Sequence, residues 1–255
     1  MRSAAGASIL PLLCALCLGA CQQNPSGGKP GVSRGQMAEI NTELGVQYLQ
    51  EREYQVALDK LNKALAADPS YVEAHNAMGL LRGALGQNSE AETSFKRALA
   101  LDGENSSVLN NYGQFLCGTG RHAEGQTMFL RAIGNPLYRN PEVAYSNAGV
   151  CARAAGDLAT AEQHFRAALE RAPDLAPALY QMAELSFDLE RYPQAQAYLA
   201  RYNEVARAGA ASLWLGVRVA RATGDRNAAA SYGLQLEKNF PDSAQTRLLL
   251  ESRQQ

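Results

Sequence analysis

The sequence predicts an all-α chain, a solenoid of six helix-turn-helix repeats, on two observations. Small residues recur in register: Ala57, Ala91, Gly125, Ala161, Ala195 and Ala229 follow at intervals of 34, 34, 36, 34 and 34 residues. A fixed period of roughly 20–50 residues marks a stacked array, because one short unit cannot bury its apolar face alone. Composition agrees. Aromatics are only 7% of the 255 residues, while Ala and Leu abound. That suits closely packed helices, not a large β-sandwich rich in Val, Thr and aromatics.

Each part of the unit has its counterpart along the chain. Four residues after the recurring small residue stand Leu61, Phe95, Phe129, Phe165, Leu199 and Gly233. Three further on stand Ala64, Ala98, Ala132, Ala168, Tyr202 and Leu236. A second small-residue series precedes them: Gly45, Gly79, Gly113, Gly149, Ala183 and Gly216. Two helices of a hairpin can touch where side chains are small, and the larger residue fills the space between units. Pro69, Pro173 and Pro241 close three units, while Gly103 and Leu137 stand at the ends of repeats two and three. The 36-residue interval places a two-residue insertion within residues 133–141. Repeat five carries Tyr202 and Arg207 where Ala and Pro belong. Gly216 is one residue out of phase, which predicts a turn one residue longer in repeat six. The repeats occupy residues 38–242, and Leu248-Leu249-Leu250 predicts a capping helix within 243–255.

The N-terminus reads as an export signal over residues 1–20. Arg2 supplies a positive start, and the apolar run from Ile9 to Leu18, broken by Pro11, is too short to span a bilayer. It ends in Leu18-Gly19-Ala20-Cys21, which resembles the lipobox of bacterial lipoproteins, with Gly19 where Ala or Ser is commoner. On that resemblance Cys21 carries the lipid, and Gln22, not Asp, points to the outer membrane. Residues 21–37 are rich in Gly, Pro, Ser and Gln without apolar periodicity, the pattern of a flexible tether. The expected location is the periplasmic face of the outer membrane.

Little in the sequence suggests chemistry. Lys and Arg number 24 against 25 Asp and Glu, so no basic excess points to nucleic acid. There is no P-loop, no GxGxxG after a strand and no GxSxG elbow. His75, His122 and His164 lack zinc-protease spacing, and the last two are expected on solvated surface. No catalytic residue, metal, cofactor or small-molecule substrate is expected. Cys14 and Cys17 leave with the signal. Cys117 and Cys151 sit in the first helices of adjacent repeats, at positions 12 and 10, which tend to face different sides. Two buried free thiols are therefore favoured over the disulfide that an exported chain permits.

The spacing of small residues at positions 8, 20 and 27, a large residue at 24 and proline at 32 resembles the tetratricopeptide repeat. In that fold positions 2, 5, 9, 12 and 13 of each first helix line a concave groove. Here they place Asn76, Leu80, Asn110, Gln114, Val150, Arg153, Tyr180 and Phe187 in a candidate partner groove. An apolar centre with amides suits an extended peptide or a helix. Alternatively, Asn76 and Asn110 only tie neighbouring helices together. No Lys or Arg occupies the early groove positions, so the basic clamp for a C-terminal carboxylate is missing.

The lipobox, short tether and six repeats resemble the type IV pilus biogenesis lipoproteins, the PilF/PilW pilotin family. Two segments carry the likeness further. One is Asn135-Pro136-Leu137-Tyr138 with Pro141 and Asn147-Ala148-Gly149. The other is Leu213-Trp214-Leu215-Gly216-Val217-Arg218 with Gly224-Asp225 downstream. The resemblance implies a pilotin without enzymatic activity, which binds secretin subunits and promotes their outer-membrane localisation and multimerisation. The rival expectation is a periplasmic repeat lipoprotein that scaffolds peptidoglycan hydrolases.

Overall fold

The computed structural model describes residues 33–253. The predicted signal, Cys21 and most of the tether lie outside the described residues. Six helical hairpins follow one another: α1 (Arg34–Gln50) with α2 (Tyr54–Ala67), α3 (Val72–Ala84) with α4 (Asn88–Leu101), and α5 (Ser106–Gly118) with α6 (His122–Gly134). Then come α7 (Pro141–Ala154) with α8 (Leu158–Arg171), α9 (Ala176–Asp188) with α10 (Tyr192–Val205), and α11 (Ala210–Ala222) with α12 (Arg226–Asn239). The short α13 (Ala244–Glu251) ends the stack. Helix α1 begins at Arg34, so the last four residues assigned to the tether are helical. First helices pack on the first helices of neighbouring repeats, whereas second helices meet only the next first helix. The stack therefore bends with the first helices on its inner, concave side.

Every hairpin turns in the same way. Three residues join the two helices, and the middle one is left-handed: Gly86, Gly120, Gly156 and Gly224 at φ between +72° and +85°, Arg52 at +63° and Glu190 at +58°. Glycine adopts that conformation without steric cost, whereas a residue with a Cβ loses about 1–2 kcal/mol. The residue after it donates its N–H back to the last turn, as in Gln87 to Arg82 (2.8 Å) and Arg191 to Ser186 (2.8 Å). This closes the orphan carbonyls of the first helix. Asp157 and Asp225 then cap the following helices by accepting from Thr160 and Ala228. The turn of repeat six is not longer than the others; residues 223–225 match 189–191.

The core lies at the crossing within each hairpin. A Cβ added to Gly79 would stand 2.8 Å from the Phe95 ring, and one on Gly113 the same distance from Phe129. Leu61 fills the equivalent place beside Gly45, and Phe165 beside Gly149. Phe95, Phe129 and Phe165 are fully buried, and Phe95 also packs on Val108, Tyr112 and Leu116 of the next repeat. In repeat six the glycine is early because its ring is early: the space at Gly216 is taken by Tyr232, at 2.8 Å, one residue ahead of Gly233. Helix α13 closes the far end by burying Leu249 against Leu213, Val217 and Leu236.

Polar clamps fix neighbouring hairpins. Glu92 of α4 accepts from Tyr112 (3.0 Å) and Arg121 (2.8 Å) of the next repeat and pairs with Lys96 (2.9 Å). Glu162 repeats the device with Arg191 (2.9 Å) and Arg166 (2.6 Å). The hydrogen bond from Lys96, followed by that from Arg121, pulls the Glu92 carboxyl down to about 2. Between repeats three and four, the two-residue insertion forms residues 135–140, tied back by Asn135 to Ser106 (3.0 Å) and by Arg131 to Glu104 (2.8 Å). His164 departs from expectation: it is half-buried, 6.1 Å from the Tyr145 ring, and burial lowers its pKa. His122, at the start of α6, is also partly buried.

Gly79→Leu forces the Phe95 ring out of its seat and should lower stability by about 1–3 kcal/mol through overpacking; urea unfolding of the mature chain reads this as a lower midpoint. The folded Glu92 value lies below the 4.5 of a free glutamate, so its contribution is fully present above that pH and is lost as pH falls toward 2. Glu92→Gln should cost about 1–2 kcal/mol at neutral pH and flatten the acid limb of a stability-against-pH curve.

Candidate partner-binding groove

The concave face is built by α3, α5, α7, α9 and α11, and its two halves differ in chemistry. In the first half an amide ladder crosses three helices. Asn111 donates to Asn76 (3.2 Å), Asn110 to Asn111 (3.4 Å), and Asn147 to Asn110 (2.9 Å). Asn110 is buried at 6% exposure. Asn76 and Asn110 therefore tie neighbouring helices together, the second of the two readings of these residues.

Beside the ladder lie two adjoining cavities. One, of about 470 Å³, opens between α3 and α5 and is lined by Leu80, Gly83, Phe115 and Gln114 among others. The second, of about 330 Å³, opens between α5 and α7 against Val150, Ala154, Cys117 and Cys151. Gln114 and Gly118 line both. No residue lining either cavity is charged. Of the predicted groove residues, Leu80, Gln114 and Val150 come together here, with Val150 44% exposed.

The two cysteines are joined, which corrects the expectation of free thiols. Cys117 and Cys151 form a disulfide with their Cα atoms 5.6 Å apart. The repeat positions misled because they compare faces on a helix and ignore the closeness of neighbouring first helices. A Cβ at Gly125 would meet the Gly113 carbonyl at 2.9 Å, so α5 and α6 cross closely just below the bridge.

The second half of the groove is a balanced charge network. Arg153 of α7 donates to Gln181 and Glu184 of α9, each at 3.0 Å, and to the Asp188 carboxylate. Glu184 also accepts from the Tyr180 hydroxyl at 2.8 Å and faces Arg218 of α11 at 3.9 Å. The Arg218 guanidinium lies over the Phe187 ring, 4.6 Å from its centre. Burial, and then the Glu184 carboxylate, raises the Tyr180 hydroxyl well above its ordinary value, so it remains a donor. Arg153, Tyr180 and Phe187 thus meet as predicted, but they act as an inter-repeat brace. Glu184 and Asp188 occupy groove positions 9 and 13 of repeat five, so the position rule already pointed to them. Phe115, Asn111 and Asn147 fall at positions outside the rule and were missed.

No cluster of three or more His, Cys, Asp or Glu able to hold a metal occurs among the described residues. The architecture is that of a tetratricopeptide-repeat protein. Tetratricopeptide models match residues 76–136, 118–176 and 152–218. The type IV pilus assembly protein PilF of Pseudomonas aeruginosa is 32% identical over 227 residues, 89% of each chain. The solved structure of that organism's PilF superposes with a TM-score of 0.75 at 31% identity, over 86% of this chain and 99% of that one. The structure of PilW, described as a widely conserved type IV pilus biogenesis factor, gives 0.76 at 31% identity, over 84% and 99%. The chain belongs to this family of type IV pilus assembly proteins.

The disulfide clamps repeats three and four under the groove. The Cys117→Ala/Cys151→Ala double variant should lose about 2–4 kcal/mol, in line with a closed loop of 34 residues. Urea midpoints with and without dithiothreitol check this, since the reductant should affect only the parent.

Proposed function

We propose that the protein is a lipid-anchored pilotin: it binds subunits of the type IV pilus secretin through its concave face and promotes their outer-membrane localisation and multimerisation. Membership of the PilF and PilW family over 89% of the chain carries this reading. An inner face with open, uncharged cavities supports it, because such a surface suits an apolar protein segment better than a charged one. In this reading the protein does no chemistry. Lipid on Cys21 supplies location, and each buried acyl methylene contributes about 0.8 kcal/mol to membrane affinity. The repeats supply recognition.

In a strain lacking the protein, heat-resistant secretin multimers should disappear and subunits should fractionate away from the outer membrane. Cys21→Ser should leave the fold intact but release the protein from outer-membrane fractions. Val150→Glu, at an exposed position lining the second cavity, should cut multimer yield at least about fivefold with an unchanged unfolding midpoint. Normal multimers in the deletion strain overturn the pilotin reading, and capture of murein hydrolases in place of secretin puts the envelope-scaffold alternative first.

A further inference from the structure

The Cys117–Cys151 bridge forms part of the groove wall, and the sequence near it is fitted to its sulfur. Five of the six repeats carry alanine at the small position of the second helix: Ala57, Ala91, Ala161, Ala195 and Ala229. Repeat three alone carries glycine, and a Cβ on Gly125 would stand 2.3 Å from the Cys117 Sγ. Unbonded carbon and sulfur cannot approach so closely. The exception in the repeat series therefore falls where the Cys117 sulfur takes the space of a methyl group.

The two sulfurs are not equally placed. Both residues line the cavity of about 330 Å³ between α5 and α7. Cys117 is partly exposed, whereas Cys151 is buried, with only 1% of its surface exposed. Gly118, next to Cys117 in the same lining, is exposed, and a Cβ added there would meet nothing within 4 Å. Open space thus adjoins Cys117. Cys151 packs instead with Phe129 and Ala148, both fully buried, and its sulfur lies 3.6 Å from the His122 carbonyl oxygen. That oxygen can accept from a Cys151 thiol, so the reduced chain would hold the group with its donor satisfied. No residue lining the cavity is charged, so a reacting group of low charge enters with the least desolvation cost.

Thiol–disulfide exchange needs a thiolate to reach one sulfur, and access helps to decide which sulfur reacts. We infer that the bridge is a thiol-exchange site entered through the groove at Cys117, with buried Cys151 as the resolving cysteine and a dithiol–disulfide oxidoreductase as the reaction partner. An exported chain meets partners of that class in an oxidising compartment. Closure runs in two steps. The Cys117 thiol loses its proton and attacks one sulfur of the oxidoreductase disulfide; that S–S bond breaks, and its electron pair leaves on the second oxidoreductase sulfur. The Cys151 thiol then loses its proton and attacks the Cys117 sulfur of the mixed disulfide, expelling the first oxidoreductase sulfur. Two electrons and two protons pass from the cysteine pair to the oxidoreductase, which departs as a dithiol. Opening is the reverse: a dithiol attacks at Cys117, and Cys151 leaves with the electron pair. Cα atoms 5.6 Å apart keep the resolving sulfur within bonding reach of Cys117 throughout.

Small neutral probes read this order. The oxidised mature chain in detergent is treated with 2-mercaptoethanol, quenched in acid to freeze exchange, and digested with pepsin for mass spectrometry. In the folded chain the adduct should stand on Cys117 at least about tenfold more often than on Cys151, and in concentrated urea the two should agree within about twofold. In the closing direction, 2-hydroxyethyl disulfide should label Cys117 of the Cys151→Ala variant at least about tenfold faster than it labels Cys151 of the Cys117→Ala variant.

An adduct mainly on Cys151, or in equal amounts on both cysteines of the folded parent, overturns the assignment. So does a folded parent that forms no adduct under thiol concentrations that open the bridge in urea, because the bridge is then a closed structural link. The intact-bridge measurement uses the parent chain, so it decides the question even if a single-cysteine variant fails to fold.

Discussion

The crossing of two helices over a residue without a side chain is the contact on which the rest of the molecule depends. At Gly45, Gly79, Gly113 and Gly149 the backbone of the first helix lies against the leucine or phenylalanine of the second, with no room for a Cβ. That contact sets how near the helices of a hairpin come. It also seats the large side chain so that its other face remains to pack on the next repeat, as Phe95 does on Tyr112 and Leu116. Burial of one such ring is worth about 1.5–3 kcal/mol, and the rings recur along the stack. Stability is thereby a sum of similar neighbour terms, with no single core to lose.

Two further devices turn a generic stack into this particular one. The three-residue turns with a left-handed centre fix the angle within each hairpin, while the glutamate clamps and the Cys117–Cys151 bridge fix the relation between hairpins. The clamps are partly buried and charge-assisted, so they resist salt better than surface pairs. Their distribution is uneven. The clamps join repeats two to three and four to five, the bridge joins three to four, and the Arg153 brace joins four to five on the inner side. The middle of the solenoid is therefore held most firmly, and it is there that the open cavities lie. A groove that keeps its shape before a partner arrives loses less ordering entropy on binding.

The two halves of the concave face differ in how fully their side chains are engaged. Paired charges in repeats four to six have little left to offer a ligand, because each carboxylate is already matched by a guanidinium or a hydroxyl. The half between α3 and α7 has open apolar surface and no charged residue in its lining. Electrostatic repulsion excludes little here.

The sequence by itself determined the repeat: its period, the small–large pairing, the insertion before Pro141 and the capping helix are all local patterns, since each reflects what one helix needs from its nearest neighbour. The turns were read less well: the longer turn expected in repeat six is absent, and the left-handed centre shared by all six emerged only from the backbone. Tertiary structure alone decided what depends on the distance between repeats. The disulfide was misjudged because positions on separate helices were compared as faces, whereas neighbouring first helices bring Cys117 and Cys151 within 5.6 Å. Gly216 appeared out of phase until its ring partner, Tyr232, proved to be displaced with it. Tyr180, Phe187 and Arg153 were placed on the correct face, but whether a side chain there remains free or is taken by its neighbour turns on residues 28–35 positions away. Periodicity reports which way a residue points; only the packed stack reports what it meets.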